Sequence, residues 1–135
     1  MIQHIVHAIR VVRHALRTIH EPPRSPLWPK VEHTFRTSHP NCAGCGGVDK
    51  LNVHHMQPFH LKPELELDPK NLITLCMGLG KDCHILIGHG DDFKAYNPAV
   101  ELMAAKLKAA YQNNDKEQVA ALQAQAKATR RYQLA

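Results

Sequence analysis

The chain has 135 residues, 44% hydrophobic and only 5% aromatic, with four cysteines, eleven histidines and a formal charge of +5. That length suits one domain with a modest aliphatic core, which gains from a metal or another staple. No run approaches the ~20 continuous apolar residues of a membrane-spanning helix, so no membrane partner is expected.

Ile2, Ile5, Ile9, Val12, Leu16 and Ile19 recur at steps of three and four, which predicts an amphipathic helix ending before Pro22-Pro23. His4, His7, Arg10 and Arg13 interrupt its apolar face, unlike the continuous apolar run of an export signal. A reducing cytoplasm is the expected setting, and there clustered cysteines hold metal rather than disulfides. Residues 1–40 carry six Lys/Arg against Glu21 and Glu32. That excess points to a polyanion such as DNA or RNA, with Arg24, Lys30 and Arg36 as candidate contacts.

After a proline-rich linker over 21–29, a short helix is predicted from Trp28 to Ser38. Residues 51–55 and 71–76 are strand-like, with a proline-punctuated loop between them. In that loop Glu64, Glu66 and Asp68 read as a solvated acidic run from which one carboxylate could approach a metal, and His60 as a surface residue or a substrate or metal contact. Cys83 to Ile87 is expected to form a helical turn bounded by Gly88 and Gly90. Asn97-Pro98 reads as the cap and first turn of a helix with the apolar stripe Val100, Met103, Leu107 and Tyr111. A last helix, from about Asp115 to Tyr132, has so thin a stripe that it reads as a docking or dimerising arm or a frayed end. The expected units are a helix and basic linker over 1–40, a metal-rich unit over 41–97 and a helical extension over 98–135.

Cys42-Ala-Gly-Cys45 followed by Gly46-Gly47 is a knuckle in which glycines let two thiolates face one ion. Cys76 and Cys83 supply a second pair, and four thiolates suit tetrahedral Zn²⁺. His54 and His55 end the first predicted strand, so that one imidazole can bind a metal while its neighbour remains a base with an ordinary pKa near 6.5. His84 and His89 are candidates to complete that second site. Five residues on an α-helix leave two side chains about 140° apart, which makes His89 the less regular partner unless Gly88 redirects the chain.

The ordered set of C-x2-C, Val53-His54-His55, Asn71-Leu-Ile-Thr-Leu-Cys76, Cys83-His84 and Gly88-His89 resembles an HNH endonuclease over roughly residues 42 to 89. Residues 24–29, Arg-Ser-Pro-Leu-Trp-Pro, are similar to segments that precede such domains. The resemblance implies an α+β fold, a small treble-clef-like ββα-metal core with flanking N- and C-terminal helices. It implies His55 as general base, Asn71 as the residue that holds the loop and orients the base, and His84 as the final motif histidine. His54, His84 and His89 would bind a catalytic divalent ion (Mg²⁺, Mn²⁺, Ni²⁺ or Zn²⁺), and Cys42, Cys45, Cys76 and Cys83 a structural zinc. The implied reaction is hydrolysis of DNA phosphodiester bonds. A non-catalytic zinc-stabilised nucleic-acid-binding module is the alternative, although a purely structural zinc site needs neither His54 nor His55.

Overall fold

The computed structural model describes residues 22–78 and 80–133, so the helix expected over the first nineteen positions lies outside the described residues. Helix α1, Trp28–Ser38, begins with Pro29 in its first turn, where a missing N–H costs nothing. It buries Phe35 against Val53 and Leu72, with Trp28 and Val31 packed alongside.

Strands β1 (Leu51–His55) and β2 (Leu72–Cys76) pair antiparallel, with His54 opposite Ile73 and His55 opposite Leu72. Alternation along the strands separates two faces. Val53, His55 and Leu72 face α1, whereas Ile73 and Leu75 belong to the larger core. Between the strands run two tight 3₁₀ turns, Pro63–Leu65 and Pro69–Asn71, the second capped by Asp68, whose side chain accepts from the Lys70 N–H.

The expected helical turn after Cys83 is a π-helix, His84–Gly88, in which the His89 N–H donates to the His84 carbonyl at 3.1 Å. It is followed by strand β3 (Ala95–Tyr96), helix α2 (Val100–Gln112), helix α3 (Lys116–Thr129) and strand β4 (Arg131–Tyr132). Among the described residues no helix is long and apolar enough to cross a membrane.

The expectations for the C-terminal helices are refined at three points. Asn97 does cap the turn that leads into α2, its Oδ1 accepting from the Ala99 N–H at 3.0 Å, but the helix itself starts at Val100 and Asn97 is fully buried, with its Nδ2 donating to the Ile87 carbonyl at 2.9 Å. Helix α3 ends at Thr129 rather than near Tyr132, because Arg130 adopts an extended backbone and β4 pairs with β3. Of the readings open for α3, docking holds and fraying does not. Leu122 and Ala126 are buried with Leu75, Ile87, Val100, Met103 and Leu107 in one core. Its alanines leave a thin stripe in sequence because α3 packs closely, with little side chain between it and the π-turn.

Candidate metal centres and histidine cleft

Cys42 and Cys45 come from the knuckle, Cys76 from the end of β2, and Cys83 from the residue before the π-turn. Their sulfurs all lie within 4.8 Å of one another, and Cys45 Sγ is 3.7 Å from Cys76 Sγ. Zn–S bonds of about 2.3 Å in a tetrahedron place sulfurs about 3.8 Å apart, so the spacing fits that ion. Gly46 turns the knuckle at φ +77°. Gly44 gives it a close approach, since a Cβ there would lie a tight 3.0 Å from Cys83 Sγ and 3.1 Å from Leu107 Cδ2.

Backbone N–H groups of Cys45 and Cys76 point at Cys42 Sγ from 3.5 and 3.3 Å, and that of Gly47 at Cys45 Sγ from 3.4 Å. A hydrogen bond from the Cys83 thiol, helped by these N–H groups, holds Cys42 down to about 4. Burial pushes Cys45 up to about 11, and the bond to Cys42 together with burial pushes Cys83 up. The protein alone therefore favours the thiolate at Cys42 and the thiol at Cys45 and Cys83; a bound dication would let those two ionise as well.

The second centre gathers His54 from β1, His84 from the start of the π-turn and His89 just past its end. His84 Nε2 lies 3.1 Å from His54 Nδ1 and 3.3 Å from His89 Nε2. The three ring centroids stand 4.8 to 5.0 Å apart, edge to face. Metal–nitrogen bonds of about 2.05 Å in a tetrahedron separate ligand atoms by about 3.3 Å, in accord with both distances. The π-turn explains why a spacing of five works, because its i to i+5 hydrogen bond closes the turn at His89.

His89 Nδ1 donates to the Ala95 carbonyl at 2.7 Å, which leaves Nε2 with the lone pair that faces the cluster. The far nitrogens of His54 and His84 are buried without a protein partner. Burial lowers the pKa of all three, His84 to about 4, and the adjacent rings lower His54 and His84 further. Neutral imidazoles whose lone pairs converge form a ready ligand set for a divalent ion.

His55 points to the opposite face of β1. Its Nε2–H donates to the Glu66 carbonyl at 2.9 Å, so its lone pair is on Nδ1, and Trp28 packs against the ring with centroids 4.4 Å apart. Burial lowers its pKa, opposed by the Glu66 carbonyl and reinforced by Arg24. His54, His55, His84 and His89 border a common cleft of about 200 Å³, with Arg24, Phe59, His60 and Gln133 at its rim.

Asn71 is buried, and its side chain makes no hydrogen bond to His54, His55, His84 or His89. Its Oδ1 accepts from the Gln57 N–H at 2.8 Å, and its Nδ2 donates to the Gln57 and Leu65 carbonyls at 3.0 and 3.4 Å. It thereby pins both ends of the loop whose Glu66 carbonyl holds His55. Of the basic candidates, Arg24 borders the cleft, whereas Lys30 is exposed on α1 and Arg36 pairs with Glu32 at 3.5 Å on the same helix.

Glu66 is a correction, since it is buried rather than part of a solvated run. Its carboxylate receives the Arg24 guanidinium at 2.8 Å and the Ser25 N–H at 3.1 Å. Arg24 in turn lies over the rings of Phe59 and Trp28. Nothing local in the acidic run singles out Glu66, because its partners come from a distant part of the chain. Gln133 was likewise invisible, falling at the end of an alanine-rich tail with no chemistry nearby in sequence.

No curated protein and no solved structure matches the chain. A family model does, and it spans the segment that holds all four cysteines, the paired strands and the histidine cluster: residues 42–89 match the HNH endonuclease family.

Proposed function

We propose that this protein is a metal-dependent endonuclease that hydrolyses phosphodiester bonds of DNA. The observation that carries the reading is the pair His54 and His55: one ring joins a cluster of convergent lone pairs, while the next faces the same cleft with Nδ1 available. His55 Nδ1 takes the proton of a water that attacks phosphorus, and the Glu66 carbonyl keeps Nε2–H in place throughout. His54 Nδ1, His84 Nε2 and His89 Nε2 would hold the divalent ion. When bound, that ion would neutralise phosphate charge and stabilise the departing 3′ oxygen, which takes a proton from solvent to become the 3′-hydroxyl, leaving a 5′-phosphate. Three imidazoles favour Ni²⁺ or Zn²⁺ over Mg²⁺ in affinity.

The cysteines would hold a structural zinc, consistent with a reducing compartment such as the cytoplasm. The nuclease unit would extend over 41–97, with the basic segment 1–40 and the helices of 98–135 as its flanks. Arg24 and His60, at the rim, are the proposed DNA contacts nearest the chemistry.

The test is plasmid cleavage by zinc-loaded protein with Mg²⁺, Mn²⁺ and Ni²⁺, beside His55→Ala and a chelator control. Cleavage that disappears in His55→Ala while zinc stays bound supports the reading. A folded protein that binds DNA in a salt-dependent way yet cuts none with any ion is the non-catalytic module instead.

A further inference from the structure

His89 offers Nε2 to the cluster only while its Nδ1–H is held by the Ala95 carbonyl. That carbonyl has a second donor, Gln133 Nε2 at 3.1 Å, so both of its lone pairs are engaged. Ala95 is fully buried in β3, opposite Tyr132 of β4. Gln133 continues from β4, and its backbone N–H donates to the Lys94 carbonyl at 3.0 Å.

The same loop is fastened twice more. Arg130 Nη1 donates to the Gly90 carbonyl at 2.8 Å. Gly90, at φ +61°, lies so close to α3 that a Cβ would stand 2.6 Å from the Ala126 carbonyl oxygen. The loop that carries the partner of His89 is therefore held by the end of the chain, well beyond the segment that matches the family model.

We propose that Gln133 is a positioning residue of the histidine centre. By sharing the Ala95 carbonyl it fixes the group that sets the tautomer and ring orientation of His89, which makes the C-terminal strand part of the metal centre. Gln133 acts through Ala95 and not on the ion. This inference rests on the reading that His54, His84 and His89 hold a divalent ion.

The experiment is a Co²⁺ titration of the zinc-loaded 135-residue protein, with visible absorption reporting the ligand geometry. Gln133→Ala and the shape-conserving Gln133→Met are compared with wild type and with Gln125→Ala, an exposed position on α3. Both Gln133 variants are expected to bind Co²⁺ about 10-fold more weakly, at the lower end of the effect of outer-shell partners, with an altered spectrum and unchanged zinc content. Gln125→Ala is expected to match wild type. Wild-type protein that takes up no Co²⁺ at the histidines overturns the metal reading and the inference with it. Wild type that binds Co²⁺, beside Gln133 variants of equal affinity and spectrum, overturns only the role of Gln133. Gln133 variants that both lose zinc and fold also overturn it, since Gln133 would then be a general structural residue.

Discussion

His84 and His89 stand five residues apart in the chain, yet their Nε2 atoms are 3.3 Å apart because the His89 N–H closes a π-turn on the His84 carbonyl. An α-helical turn of the same sequence would have pointed them in different directions. The π-turn also brings Gly88 against His54.

Gly88→Ala tests that closeness. An added Cβ would meet Leu75 Cδ1 at 3.1 Å and His54 Cε1 at 3.3 Å. Overpacking of this kind costs about 1–3 kcal/mol, and here it pushes directly on a proposed ligand. Lower thermal stability together with weaker metal uptake at the histidines is expected; wild-type values of both in a melting and metal-titration experiment would refute the steric argument.

The two centres should separate by mutation. Zinc binding to a structural site is worth about 10–16 kcal/mol, comparable with the whole stability of a domain at about 5–15 kcal/mol. Cys83→Ser is therefore expected to lose zinc and unfold, by elemental analysis and circular dichroism. His84→Ala should keep both zinc and fold while losing cleavage. A folded, zinc-loaded Cys83→Ser protein would remove the structural role assigned to the thiolates.

The pH profile of cleavage follows from His55. A general base works when unprotonated, and burial lowers its pKa from the ordinary value of 6.5. Lowering keeps the ring neutral to more acidic pH, so the acid limb of kcat/KM should fall below 6.5. His84, lowered to about 4, stays available to metal across the same range. An acid limb at or above 6.5 would contradict the environment described for His55.

Arg24 and Glu66 form an asymmetric pair, with side chains 46% and 6% exposed. Removing Arg24 strands a buried carboxylate on the Ser25 N–H alone, whereas Glu66→Gln leaves a guanidinium that water can solvate. Arg24→Ala is expected to cost about 2 kcal/mol, after allowance for its exposure, and more than Glu66→Gln. Denaturant melts of the two variants decide the order, and equal losses would show the pair to be solvent-screened throughout.

Much of the site was legible in the chain because its chemistry is carried by rare residues at ordered positions. The C-x2-C knuckle, the His54-His55 pair and the strand before Cys76 each imposed a local geometry that the fold retains, as did helix α1 from Trp28 to Ser38. Glu66 and Gln133 were not legible, since their roles depend on partners distant in sequence, Arg24 for one and Ala95 for the other.

What the sequence by itself determined was the candidate donor set: four thiols and three imidazoles, with a fourth imidazole beside them, on two short strands and a turn. Residue type and alternation along a strand are local properties, and they need no knowledge of the fold. Tertiary structure decided the hydrogen-bond pattern of the turn after Cys83, the burial of Glu66 and the docking of α3 and β4 against the loop behind His89. Those outcomes were settled by how backbone groups could be satisfied once the core closed, which is a property of packing and not of any single stretch of chain.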